Sequence, residues 1–241
     1  MKKTVMIENG KRVSDFLNKV SINGNIPEAL ITIEKGYISA NSVDATETMF
    51  SMCTCFLGKQ KKDLGKIEIG VPQLPTIIKH LSTEDPYKLI VDEEANMISI
   101  TKKGKGALRV VLIDKDGITT ALSTDINEDS LELESRVHFE LSGDKLEELQ
   151  DYISLTTCHC LIFEIDHGRL FAMSPETGVV QFKLFMCRTK EDDLRIASYA
   201  KTVSDTLTML KGAPVSFYLL KDKEIIMEQE GNYWGVLPIE E

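Results

Sequence analysis

No apolar run in the sequence approaches the roughly 20 residues needed to span a bilayer, so a membrane protein is not expected. The opening MKKTVMIENG has two lysines but no long apolar core behind them, unlike a secretory signal peptide. The chain is therefore expected to be intracellular. Cysteine is sparse and odd in number, five residues mostly among apolar neighbours, which suits a reducing compartment better than a disulfide framework. Positive charge is also short. A formal net charge of -10 excludes a protein that simply coats nucleic acid, because such binding draws on phosphate neutralisation by Lys and Arg. DNA stays open only if the basic residues gather on one surface. Catalytic signatures are missing too: there is no Ser, His and Asp set, Walker loop or glycine-rich dinucleotide turn, and GKGALR is too short for a phosphate loop. Neither an enzyme nor a cofactor is expected. The segments CTC (Cys53, Cys55) and CHC (Cys158, His159, Cys160) lack the Cys-x2-Cys spacing that wraps zinc. In a strand, Cys-x-Cys places both thiols on one face as small core residues, so no metal site is expected.

What the sequence does contain is a copy of itself. Gly36 and Gly168 lie 132 positions apart, and the same offset pairs Val5 with Val137, Ile7 with Phe139, Leu17 with Leu149 and Ile33 with Ile165. It continues through Ala40 and Ala172, Ser42 and Ser174, Asp44 and Glu176, Phe50 and Phe182, and Cys55 and Cys187. Fixed-offset similarity of this kind signals a repeated structural unit.

Each copy reads as strand, helix, hairpin and strand, then a second helix and further strands. Residues 4–8 and 136–141 alternate with period two, as half-buried strands do. Val13, Phe16, Leu17 and Val20 in the first copy, and Leu146, Leu149 and Ile153 in the second, fall at helical spacing on one stripe. Ser142, with Asp144 nearby, is the expected cap of the latter helix. Gly36 and Gly168 are expected in tight turns, where glycine tolerates positive φ. Second helices are expected from Leu74, Ile77, Ile78 and Leu81, with Pro75 in a first turn, and from Ala200, Val203, Leu207 and Leu210, with Gly212 as the stop. Helices on one face of antiparallel sheets give an α+β class. The expected domains are 1–113 and 136–241, joined by a connector, 114–135, that is rich in Asp, Ser and Thr and shows no sustained period.

This doubled plan resembles a DNA sliding clamp of the proliferating cell nuclear antigen type, over nearly the whole chain. The most specific pieces are SVDAT (42–46), similar to the family's Ser-Met-Asp-Ser segment, ELSGDKLEEL (140–149), and WGVLPIEE (234–241), similar to its Leu-Ala-Pro-Lys-Ile-Glu tail. Val43 in place of Met, Leu237 in place of Ala and a long connector mark the resemblance as distant, with a phage or virus source open. The resemblance implies a ring-forming processivity factor that encircles duplex DNA without sequence preference. It also implies partners: DNA polymerase and a clamp loader, bound through short peptide motifs. Bacterial-type clamps use three domains per chain in a dimer, so two domains imply a homotrimer. The alternative is a non-catalytic scaffold or metal-binding α+β protein that does not encircle DNA.

Site residues follow from the same resemblance. Lys11, Arg12, Lys19, Lys79, His80, Lys145, Lys201 and Lys211 would face DNA, although in the helix at 144–155 Lys145 is outnumbered by Asp144, Glu147, Glu148 and Asp151. Ordinary solvated faces are the competing reading of these cations. Val43, Met49, Ile118, Ala121, Leu122, Val236, Leu237 and Pro238 would form a pocket for partner peptides. The competing reading is that the terminal triplet closes the last strand onto its own core. The subunit interface would pair the strand carrying Arg109, Val110, Val111 and Leu112 with one carrying Val180, Phe182 and Leu184, both apolar edges that are hazardous if left open.

Overall fold

The computed structural model describes residues 2–60, 64–104, 106–120, 126, 128–155, 159–175, 183–210, 212–221 and 224–239. The chain divides into two compact units, Met1–Ala45 with Phe50–Leu122, and Thr46–Met49 with Ser123–Glu241. The first contains β1 (Lys2–Ile7), α1 (Gly10–Val20), β2 (Ala29–Glu34), β3 (Tyr37–Val43), β4 (Met49–Phe56), β5 (Ile67–Val71), α2 (Leu74–His80), β6 (Tyr87–Asp92), β7 (Met97–Lys102) and β8 (Leu108–Val111). After a 3-10 turn (Lys115–Gly117) comes α3 (Glu128–Glu134). The second unit continues with β9 (Ser135–Leu141), α4 (Asp144–Leu155), β10 (Cys160–Asp166), β11 (Arg169–Met173), β12 (Lys183–Arg188), β13 (Arg195–Tyr199), α5 (Ala200–Leu207), β14 (Val215–Leu220), β15 (Ile225–Gln229) and β16 (Asn232–Val236).

The strand order repeats element for element. The first unit has β1-β6-β7-β8 and β5-β2-β3-β4; the second has β9-β14-β15-β16 and β13-β10-β11-β12. Every ladder within a unit is antiparallel. The expected α+β class is therefore observed. Repeat partners share their burial as well: Val5 and Val137, Leu17 and Leu149, Ile33 and Ile165, and Ala40 and Ala172 all lie in the cores.

The two hairpin turns show why the offset is fixed. Lys35 and Gly36 have φ of +49° and +85°, and His167 and Gly168 have +50° and +68°. Two consecutive positive φ values in a two-residue loop match the twist of the flanking strands. Behind each turn the next strand closes in the same way. The Leu57 N–H donates to the Gly36 carbonyl at 2.8 Å, and the Thr189 N–H to the Gly168 carbonyl at 3.0 Å. The copies part company one step later. Tyr37 faces Phe56 and Ser39 faces Thr54, whereas Arg169 faces Arg188 and Phe171 faces Phe185, one residue out of step. A bulge of one residue in β12 accounts for the slip.

Helix α1 forms where its sequence directs it. Asn9 caps it, accepting from the Arg12 N–H at 2.9 Å. Val13, Phe16, Leu17 and Val20 are buried as one stripe, each side chain stabilising the unit by roughly 1.5–3 kcal/mol. Helix α2 begins after Gln73, with a proline in its first turn. At α4, the Ser142 carbonyl rather than its cap geometry is the visible contribution, accepting from Lys145 at 3.2 Å. Helix α5 ends at Leu207, short of the expected stop at Gly212. The Met209 and Leu210 N–H groups donate to the Thr206 and Leu207 carbonyls, both at 3.1 Å, so a tighter 3-10 winding finishes the helix.

The connector also differs from the expectation that it lacks structure. It contains α3, whose Leu131 is buried while Leu133 is 79% exposed, and which packs on β14 and β9. Seven residues with a single buried side chain are too few to display a helical period, although Glu128 and Asp129 in the first turn suit the helix dipole.

Candidate nucleic-acid interface

In the first unit α1 and α2 pack together, and the Ser14 hydroxyl donates to the Ile78 carbonyl at 2.9 Å. Their exposed side chains include Lys11, Arg12 and Lys79, while Lys19 is half-buried. Lys11 pairs with Asp15, and Arg12 lies over the Phe56 ring at 5.6 Å. Together the two helices carry four Lys and Arg residues against one carboxylate. His80 is half-buried. Its Nε2 is buried without a hydrogen-bond partner among the described residues, and its ring meets Tyr87 edge-on at 5.8 Å. The Tyr87 hydroxyl also donates to the His80 carbonyl at 3.0 Å.

The second unit repeats the helix pair with inverted charge. Gln150 Nε2 donates to the Leu207 carbonyl at 2.7 Å, tying α4 to α5. Lys145 pairs with Glu148, and Lys201 with Asp205 at 2.5 Å. The two cations of this pair of helices face five carboxylates: Asp144, Glu147, Glu148, Asp151 and Asp205. Lys211 lies outside the described residues.

The residues expected in a peptide pocket separate by exposure. Met49, Ile118 and Val236 are buried, whereas Val43, Leu237 and Pro238 are half-buried. Ala121 and Leu122 lie outside the described residues. Ile118 is held against β5, where a Cβ added at Gly70 would come within 2.9 Å of its Cδ1 and 2.6 Å of the Ile113 carbonyl oxygen. Gly70 carries no turn or motif signal in the sequence, and this close approach is what calls for a glycine there. The tail is anchored in its own unit: the Leu237 N–H donates to the Thr48 carbonyl at 3.0 Å, and the Ile239 N–H to the Ala197 carbonyl at 2.9 Å.

The two strands expected at a subunit interface, β8 and β12, each end their strand order. In β8, Val110 is buried, Arg109 is exposed and Val111 is 69% exposed; Leu112, just beyond it, is buried. In β12, Leu184 is half-buried and its neighbour Phe185 is the exposed aromatic. Val180 and Phe182 lie outside the described residues. Of the described cysteines Cys53 is buried in the core, whereas Cys55, Cys160 and Cys187 are half-buried. Burial pushes the Cys53 thiol far up and Cys55 upward, with Lys19 opposing the shift at Cys53 and Arg12 and Lys19 at Cys55. Among the described residues no group of three His, Cys, Asp or Glu could hold a metal ion. Cys158 lies outside them. No described helix is long and apolar enough to cross a membrane.

A helix pair over two four-stranded antiparallel arrangements, used twice in one chain, is the fold of the DNA sliding clamps. The solved structures bear this out. The chain is similar to the DNA polymerase sliding clamp of Bacillus subtilis, with a TM-score of 0.76 and 13% identity over 99% of this chain and 64% of that one. Against the DnaN sliding clamp of Pseudomonas aeruginosa, solved bound to griselimycin, the TM-score is 0.74 and the identity 12%, over 100% and 65%. Against the proliferating cellular nuclear antigen of Entamoeba histolytica the TM-score is 0.71 and the identity 13%, over 98% of each chain. The chain thus spans 64% to 66% of the length of the bacterial clamps it matches. No protein-family model and no curated protein matches the sequence. The resemblance to the proliferating cell nuclear antigen type holds at the level of fold.

Proposed function

We propose that the chain is a DNA sliding clamp, a non-catalytic processivity factor that closes into a homotrimeric ring around duplex DNA and tethers the replicative polymerase. The observation that carries this reading is the two-way cover of 98% with the Entamoeba antigen, against about two thirds of the bacterial clamps. That ratio fits two domain copies where those chains are expected to have three. The cationic α1 and α2 would face the duplex, with Lys11, Arg12, Lys19 and Lys79 making diffuse phosphate contacts. Lys145, Lys201 and Lys211 would contribute less, the first two because their helices carry five carboxylates against two cations. Leu237 and Pro238 would offer apolar surface to the aliphatic and aromatic anchors of a polymerase or clamp-loader peptide. Exposed Val111 and Phe185 on β8 and β12 would meet between subunits, closing the ring head to tail. Action at sites of replication inside the cell follows from this role.

The test uses topology. The chain should stay with nicked circular duplex DNA and leave when the circle is cut. Reversal of Lys19, Lys79 and Lys201 to Glu should lower the amount of chain loaded onto the circle without changing the trimeric mass in solution. Equal release from circular and linear DNA, or a persistent monomer at high concentration, overturns the proposal.

A further inference from the structure

Two side chains that a soluble core would be expected to use are left at the surface of the first unit. Tyr37 is 50% exposed and Phe56 is 37% exposed. They stand directly opposite each other across β3 and β4, with ring centroids 5.1 Å apart and planes at 56°. The Arg12 guanidinium lies over the Phe56 ring, 5.6 Å from its centroid. Because Arg12 belongs to α1, the aromatic pair sits where the hairpin corner meets the cationic helix.

The repeat places a related feature at the same corner of the second unit. Shifting Tyr37 and Phe56 by the 132-residue offset gives Arg169 and Arg188, which face each other across β11 and β12 and are both exposed. Like charges directly opposite in a ladder are destabilising. Neither arginine has a carboxylate within ion-pair distance among the described residues, although Asp166 and Glu164 nearby are engaged by Lys183 and Arg195. Arg169 also stands opposite Asp166 across β10 and β11, but that carboxylate is engaged by Lys183, so among the described residues the cross-strand arginine pair keeps donors for an anion from outside the chain.

We infer that these hairpin corners bind single-stranded nucleic acid, Tyr37 stacking a base with Phe56 bracing the Tyr37 ring while Arg12 meets its phosphate, and Arg169 and Arg188 holding phosphate in the other unit. Exposed aromatic faces beside cations are the chemistry of sequence-tolerant strand binding. A duplex offers no free base face, so the platform selects unpaired strand. The inference rests on the clamp reading and supplies what that reading lacks: contact with the strand that leaves a duplex.

The experiment measures anisotropy of a labelled 16-nucleotide oligo-dT, and of the same length of abasic strand, with the full chain at several salt concentrations. The native chain should bind oligo-dT more tightly than the abasic strand. Tyr37→Ala with Phe56→Ala should weaken oligo-dT binding about tenfold or more and leave abasic binding and the salt slope unchanged. Arg169→Gln with Arg188→Gln should instead make the log-log salt slope shallower by roughly 1.4, two phosphates at about 0.7 each. Circular dichroism and the trimeric mass report folding for each variant. Equal binding of the two strands by the native chain, no binding at low salt, or aromatic variants that bind as the native chain does would each overturn the inference. A lowered melting temperature with unchanged binding would leave the aromatic pair as a hairpin strut and also overturn it. Retention on circular duplex, measured beside these, reports on the clamp itself: its loss with oligo-dT selectivity intact would refute the ring and not the platform.

Discussion

Gly36→Ala and Gly168→Ala are the same change at the same place in the repeat, yet the geometry assigns them unequal costs. Both residues sit at positive φ, where a side chain costs roughly 1–2 kcal/mol. Both variants regain about 0.4–1 kcal/mol from a less flexible unfolded chain. What separates them is the ceiling. A Cβ at Gly36 would lie 2.7 Å from the Gly58 carbonyl oxygen, which belongs to the backbone and cannot swing away, whereas at Gly168 the Thr189 carbonyl oxygen stands at 3.3 Å. Relieving the first contact displaces the strand that carries the Leu57 N–H bond to Gly36, worth a further ~1 kcal/mol plus strain. The expected losses are about 2–4 kcal/mol for Gly36→Ala and about 1–2 kcal/mol or less for Gly168→Ala. Native-state hydrogen exchange reads each corner through its own amide, Leu57 and Thr189. At tenfold per 1.4 kcal/mol, Leu57 protection should fall roughly 30- to 1000-fold, and that of Thr189 no more than about 30-fold. Equal losses, or a larger one at Thr189, would refute the argument from clearance.

Three further outcomes are expected. Hydrogen bonds from Lys2 and Lys3 hold the Asp92 and Glu93 carboxyls below their ordinary values, so the stability they add is complete above the ordinary carboxylate range and is lost as pH falls through the lower folded values. Melting curves should show the gap between the native chain and a Lys2→Ala, Lys3→Ala variant closing as the pH is lowered from 6 to about 3. Cys53, with its thiol pushed far up by burial, should resist iodoacetamide at pH 8 until the chain unfolds, as peptide mass mapping would show. Leu131→Ala should cost about 2–4 kcal/mol in urea denaturation, while Leu133→Ala on the exposed side of α3 should stay within about 0.5 kcal/mol.

Most of the fold is legible because the repeat is read twice. A period-two strand or a helical stripe that is ambiguous once becomes secure when Val5, Leu17 and Ile33 recur as Val137, Leu149 and Ile165 at one offset. The glycines of the two turns are legible for a local reason, positive φ. The parts that escape depend on contacts distant in sequence. No local pattern reveals that Gly70 makes room for the Ile113 carbonyl and Ile118, or that Tyr87 covers the His80 ring. The bulge in β12 is invisible for the same reason, since an extra residue changes pairing without changing composition. The candidate site divides likewise. The cations of α1 and α2 can be counted from the sequence, but Arg12 over Phe56 needs the hairpin folded back onto the helix.

The inverted charge of the two helix pairs bears on how such a protein could hold DNA at all. Four cations against one carboxylate on α1 and α2, and two against five on α4 and α5, leave these four helices together close to neutral. Affinity from phosphate neutralisation grows with the number of contacts and falls steeply with salt, so helices of this composition cannot supply a long-lived grip. A protein built this way either leaves duplex DNA quickly or is retained by something other than affinity. Closure into a ring is such a device, because escape then requires opening an interface and not merely breaking ion pairs. Under the proposed function, dissociation from circular duplex should therefore depend little on salt, while the corner contacts to single strands weaken with it. The opposite pattern would mean that charge, and not enclosure, holds the DNA.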